Sequence, residues 1–322
     1  MDDPLIWVRV IHFAATMMVT GGVFFHAFVA EPAFQTVDDT RVAARVRFRL
    51  ALIGWIVLAV TVLSGGAWLV LQTEQMSELS LGQVLQQDAL WTVLSETDFG
   101  YAWMVRLVMA GLLAAMLSWR GPAPWRESLR LSAAVAASAG LVGTLAWAGH
   151  GAAGSDIEGA VHLAADILHL IAAAAWGGAL IPLALLLHTA RRDPVESSAV
   201  IARKAVLRFS PLGILSVGTL VATGAVNTWV LAGSVQALIG TDYGRLLLVK
   251  VALFLVMLSF GAVNRLWLTP HLAPVASASA TAAALRQIER NSMIEAGLAA
   301  IIIAIVALLG TLPPGLEDQA IN

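Results

Sequence analysis

The sequence predicts an all-α polytopic membrane protein: eight transmembrane helices arranged as two parallel four-helix repeats, with both termini periplasmic. Three observations predict it. The chain of 322 residues is 59% hydrophobic and only 12% charged, where a soluble domain carries roughly 25% charged residues. Its apolar residues fall in blocks of about 20 or more, the length that crosses a ~30 Å hydrocarbon core as a helix. Its basic residues crowd into every second connection between those blocks.

The spans are placed near 4–29, 46–71, 101–119, 129–149, 161–187, 209–232, 245–268 and 293–312. The first opens "MDDPLIWVRV", with two acids where a secretory signal carries basic residues, and no small-x-small cleavage site follows, so it reads as a retained span. The connection after span 1 holds Arg41, Arg45, Arg47 and Arg49, and Arg120, Arg126 and Arg130 follow span 3. Arg191, Arg192, Arg203, Lys204 and Arg208 follow span 5, and Arg265, Arg286 and Arg290 lie around the connection after span 7. The alternate connections, 72–100, 150–160 and 233–244, contain no Lys or Arg. The other four basic residues, Arg9, Arg106, Arg245 and Lys250, lie at or just inside the opposite ends, a division of fifteen against four. Basic residues favour the cytoplasmic side, so both termini face outward. The stretch "LGQVLQQDALWTVLSETDFG" (81–100) mixes apolar and polar residues as a surface helix does. The stretch 278–290, "ASATAAALRQIER", reads as a helix leading into span 8.

The chain is written twice. "IHFAATMMVTGG" (11–22) parallels "LHLIAAAAWGG" (168–178), and "RFRLALIGWIVLAVTVLSGG" (47–66) parallels "RFSPLGILSVGTLVATGA" (208–225). "TDFGYAWMVR" (97–106) matches "TDYGRLLLVK" (241–250), and "VGTLAWAG" (142–149) echoes "LGTLPPG" (309–315). Each half, 1–149 and 150–322, has four spans, so the repeats share one orientation, and sites in such proteins lie at the repeat interface.

Cysteine is absent, which excludes disulfides and thiolate metal sites. No nucleotide-binding loop appears, so no ATP drives transport within this chain, and no basic tail points to nucleic acid. The polar residues carry the remaining signal. His162, Asp166 and His169 stand at i, i+4 and i+7, on one face of the outer turns of span 5. His150 ends span 4 and reaches the same level. One such histidine would be satisfied by headgroups, water or backbone carbonyls. Three with an acid point to a metal site, since neutral imidazole suits Cu, Zn, Fe and Ni, and intramembrane ionisable groups are functional by default. His12 occupies the place in span 1 that His169 has in span 5, with Met17 and Met18 beyond it. Methionine is the only soft ligand the chain has, and with imidazole it suits Cu(I); Met17 is the better placed of the two. His26 and His188 read as interfacial anchors at the cytoplasmic ends. Arg106 and Lys250 are expected to snorkel outward or to pair with Asp98 and Asp242. Asn227, Asn264 and Glu295 need partners, most simply one another or the backbone.

The segments "HLAADILHLIAAAAWGGALIPL", "RFSPLGILSVGTLVATGAVNTWVLAGSVQALIGTDYGRLLLVKVALF", "NRLWL" and "IEAGLAAIIIAIVALLGTLPPG" resemble, in that order, the CopD/PcoD copper-resistance membrane proteins. The resemblance covers most of 149–315, and the first half is similar to the family's N-terminal spans more loosely. It implies a bacterial inner-membrane protein that takes copper from a periplasmic CopC-type chaperone, here a separate protein, and moves it inward. His150, His162, Asp166 and His169 fall in the family's His-rich pattern. The expectation is a copper permease for copper homeostasis and resistance rather than an enzyme. It would bind Cu(I) or Cu(II) through these residues with His12 and Met17, in the lipid bilayer and in a possible homo-oligomer. The alternative is a b-haem redox protein with His12 and His169 as axial ligands, since a family of haem-pathway membrane oxidases is similar to CopD in fold.

Overall fold

Backbone polar groups cannot be left bare in hydrocarbon, so an apolar chain crosses it as helices that satisfy their own hydrogen bonds. The computed structural model describes residues 3–37, 40–86, 88–119, 124–148, 157–192, 196–273 and 276–312, and among them there is no strand. Helix α1 (Pro4–Phe25) is opened by Asp3, whose carboxylate accepts from the Leu5 N–H at 2.8 Å. Pro4 stands in the first turn, where its missing N–H costs nothing. A π-helical turn (His26–Ala30) carries α1 into α2 (Glu31–Phe34). Then come α3 (Thr40–Ser77), α4 (Leu81–Gln86), α5 (Ala89–Glu96), α6 (Asp98–Ser118) and α7 (Pro124–Gly143), which tightens into a 3₁₀ turn (Thr144–Ala148). After α8 (Ile157–Trp176) a short 3₁₀ turn leads to α9 (Leu180–Arg192), followed by α10 (Glu196–Ala232) and α11 (Val235–Gly240). α12 (Asp242–Val263) ends in a π-helical turn (Asn264–Leu268), and α13 (Ala278–Leu309) is the last helix described.

Among the described residues, eight stretches are long and apolar enough to cross a membrane. Several run further than the apolar blocks: the second covers Arg41–Ser77, the sixth Ser197–Ala232 and the eighth Ala278–Leu309. Arg, Glu, Gln and Ala are good helix formers, so a helix continues beyond the point where its apolar block stops. The expected helix at 278–290 is the first part of α13, and the connection 72–100 folds into α4 and α5.

α1 packs on α3 and α8 on α10; α6 packs on α7 and α12 on α13; α5 lies on α6 and α11 on α12. Thr97 and Thr241 cap α6 and α12, their hydroxyls accepting from Gly100 N and Gly244 N at 3.0 Å. α1 crosses the 3₁₀ turn between α8 and α9 (Gly177–Ala179) where Gly21 meets Gly178. A Cβ on Gly21 would lie 2.2 Å from the Gly178 carbonyl carbon, and one on Gly178 2.1 Å from the Met17 oxygen. Glycine lets membrane helices approach backbone to backbone in this way. At the arginine-rich end a large apolar cluster, including Phe25, Val46, Leu187, Ile201, Leu272 and Ile288, joins the two halves.

Ion pairs flank that cluster. Arg47 holds Glu31 through two hydrogen bonds of 2.9 and 2.7 Å, with His26 3.5 Å from the same carboxylate. Glu289 accepts from His188 and Arg191, each at 2.9 Å. His26 and His188 are therefore anchored by acids at that end.

Candidate metal centre

His12 lies in the third turn of α1, its ring buried against α3 where Gly65 leaves room: a Cβ there would be 3.1 Å from the His12 Cε1. The Nδ1 of His12 is 3.0 Å from the Thr61 carbonyl and 3.2 Å from the Ser64 hydroxyl. A carbonyl only accepts, so Nδ1 carries the proton, and in the neutral ring the Nε2 lone pair is left bare. That Nε2 is buried and has no hydrogen-bond partner. The Ser64 hydroxyl spends its own proton on Val60 O at 2.6 Å, which fixes it as a second acceptor.

His169 repeats the arrangement on α8. Its Nδ1 is 2.9 Å from the Thr223 hydroxyl, whose single proton goes to Thr219 O at 2.6 Å. The hydroxyl must therefore accept, Nδ1 again donates, and in the neutral ring Nε2 again carries the lone pair. Gly224 sits beside this ring as Gly65 sits beside the other, with a Cβ placed 3.5 Å from the His169 Cε1. An imidazole held through one nitrogen by an outer acceptor is the arrangement that orients a metal ligand.

Asp166, one turn before His169, accepts from the Asn227 amide at 3.2 Å. His162 and Lys250 act on its charge through space. His162 is buried. Among the described residues, no three His, Asp or Glu side chains lie close enough to hold one metal ion. Seven residues of helix put His162 about 10 Å from His169 along the axis, so the shared face forms a ladder along α8. His150 lies outside the described residues. Met17 is part of an apolar cluster with Ala174 and Ala307, about 140° round α1 from His12, so its side chain leaves the helix in another direction.

Arg106 departs from expectation. It is buried, and it gives Nε to the Thr144 hydroxyl at 3.0 Å and a terminal nitrogen to the Thr144 carbonyl at 3.2 Å, with no bond to Asp98. The 3₁₀ turn that ends α7 leaves that carbonyl available. Asp242 pairs with Arg245 at 3.6 Å. Asn264 and Glu295 find each other, Nδ2 to Oε1 at 2.8 Å, beside a cavity of about 260 Å³ also lined by Trp176 and Phe209. Asn291 donates to the Asn264 oxygen at 2.6 Å. Sequence reasoning missed the three hydroxyl and carbonyl partners, Thr61, Ser64 and Thr223. The available signal was the pair Ser64–Gly65 and Thr223–Gly224 at parallel places in the two halves.

Residues 1–163 match the family described as copper resistance protein D-like, N-terminal domain, and residues 203–309 match copper resistance protein D. Copper resistance protein D of Pseudomonas syringae pv. tomato is 31% identical over 98% of this chain and 99% of its own. The chain belongs to the copper resistance protein D family. Other relatives are similar to this chain as well. Copper transport protein CutJ of Bacillus subtilis (strain 168) is 30% identical over 80% of this chain and 45% of its own length. Inner membrane protein YebZ of Escherichia coli (strain K12) is 26% identical over 96% and 98%. With its eight apolar helices, this family member is a multi-pass membrane protein.

Proposed function

We propose that the chain is a copper permease of the bacterial inner membrane, built as two parallel four-helix repeats (1–149 and 150–322) with both termini in the periplasm. Copper is its substrate, handed over by a separate CopC-type chaperone and moved inward without catalysis. His150, His162 and Asp166 receive the ion at the outer end of the second half. His169 and His12 take it at the next level, and Met17 offers a thioether further in. One observation carries the reading. Two histidines at equivalent places are each tied through Nδ1 to the neighbouring helix, which leaves the lone pair on Nε2. The carboxylate of Asp166 lies one turn from His169 and supports entry of the ion on the second half, where a negative charge attracts a cation. The names of the relatives support copper over other metals.

The test is metal content. The detergent-purified chain is loaded with copper, desalted and analysed beside His12→Ala, His169→Ala and a His150/His162→Ala double variant. Copper retained by the native chain and diminished in each variant supports the ligand set. Iron instead of copper, with a Soret band lost in both His12→Ala and His169→Ala, would overturn it in favour of b-haem held by those two residues.

A further inference from the structure

Around Trp68, in the first half, two buried arginines carry charge that no carboxylate bonded to them balances. Arg9 and Arg106 are 6% and 4% exposed. Their Cζ atoms lie 5.7 and 5.0 Å from the Trp68 ring centroid. Arg106 bonds Thr144, and Arg9 gives NH1 to the Gly310 carbonyl at 3.2 Å. Every one of these acceptors is neutral. Among the described residues no carboxylate bonds to either guanidinium; Asp3 acts on Arg9 only through space, and its oxygen is engaged in capping α1.

Among the described residues, four N–H donors here find no acceptor: Arg9 Nε, Arg106 NH1, Trp68 Nε1 and Trp103 Nε1, all on residues at most 6% exposed. Arginine does not shed its proton, and a buried charge or donor without a partner is expensive. The second half shows what balances the same place. Counting back three residues from the equivalent histidines His169 and His12, Asp166 stands where the first half has Arg9, and Lys250 stands where it has Arg106. An acid–base pair in one half is therefore a pair of cations in the other.

We infer that the first half binds a small monovalent anion, a halide or a carboxylate, among Arg9, Arg106, Trp68 and Trp103. The anion takes the electrostatic place that the Asp166 carboxylate holds in the second half. It accepts the four unused N–H groups and offsets the two guanidiniums beside His12. The inference stands whether or not His12 carries copper.

Bromide is the probe, because it quenches indole fluorescence and two indoles belong to the site. The purified full chain, in neutral detergent and a halide-free buffer, is titrated with bromide and back-titrated with chloride or acetate. The expected result is a saturable quenching phase that chloride competes away. Trp68→Phe removes part of it, Arg9→Gln and Arg106→Gln weaken it tenfold or more, and Arg245→Gln, at an exposed position, leaves it unchanged. Arg106→Lys keeps the charge and restores part of the affinity. If the glutamine variants do not fold, competition on the native chain decides alone. Linear, collisional quenching that chloride does not relieve overturns the proposal. A response confined to long-chain anionic amphiphiles also overturns it, in favour of a lipid headgroup.

Discussion

At the scale of single residues, one added methyl group separates the two histidine environments. A Cβ at position 65 would stand 3.1 and 3.3 Å from the His12 ring and 3.3 Å from Trp103, closer than side chains normally pack. The His12 ring cannot retreat easily. It is held by the Thr61 carbonyl and the Ser64 hydroxyl, with the Trp68 ring 5.4 Å from its centroid. A Cβ at position 224 would stand 3.5 Å from His169, an ordinary contact. Gly65→Ala is therefore expected to cost about 1–3 kcal/mol, the range for overpacking a well-filled interior, and to lower bound copper by moving the Nε2 of His12. Gly224→Ala is expected to be neutral or slightly stabilising, since alanine is a better helix former by about 1 kcal/mol. Thermal unfolding in detergent, followed by metal analysis, checks both. Equal behaviour of the two variants would mean that the rings are not held as tightly as their bonds imply.

At the scale of elements, the two halves meet backbone to backbone where α1 crosses the 3₁₀ turn that follows α8. The atoms nearest a Cβ on Gly21 are all backbone: Gly178 C at 2.2 Å, Ala174 O at 2.4 Å and Ala179 N at 2.5 Å. No side chain can move aside, so Gly21→Ala or Gly178→Ala must push the helices apart. A loss at or above the top of the about 1–3 kcal/mol overpacking range is expected, read as a fall in the unfolding midpoint. Gly22→Ala, which meets nothing within 4 Å, is the control and should leave the midpoint in place. A midpoint equally unmoved in Gly21→Ala would remove the crossing from the account. This contact also marks how far the sequence could be read. The doubled glycines at 21–22 and 177–178 were visible as a parallel, but which of them touch depends on how the helices cross. Helical spacing placed His162, Asp166 and His169 on one face, and hydropathy located all eight spans. Neither could show that Arg106 turns to Thr144, or that Thr61 and Thr223 orient the histidines. Periodicity names the buried face of a helix and leaves open which neighbour it meets. Helix ends were misjudged for a related reason: hydropathy records the apolar slab, and α3, α10 and α13 continue beyond it on charged residues that favour helix.

For the whole molecule, charge and structure divide the chain along the same axis. At one end lie the arginine-bearing starts of α3, α10 and α13, the Glu31–Arg47 and Glu289–Arg191 pairs and the large cluster that joins the halves. Near the other lie the beginning of α1 and the outer turns of α8, with His12, His162, Asp166 and His169. Basic residues are retained on the cytoplasmic side during insertion, so on the proposed reading the histidine level faces outward, where copper arrives before it has crossed. A chain with eight spans returns its C-terminus to the side on which it began. Alkaline phosphatase fused after Asn322, or within 233–234, should therefore be active, and green fluorescent protein at the same places dark. Fusions at 120–123, in the first half, and at 274–275, in the second, should give the opposite pattern. Those inner positions are the more demanding test, because they interrupt the ends rich in Arg and report on each half separately. A reversed pattern at all four positions would put the histidines on the cytoplasmic side and overturn inward movement from the periplasm, while the Nδ1 bonds that leave the lone pair on Nε2 would stand. A mixed pattern, with the two halves reporting opposite sides, would break the parallel repeat itself, because two four-span units in one orientation cannot place the equivalent connections 120–123 and 274–275 on different faces.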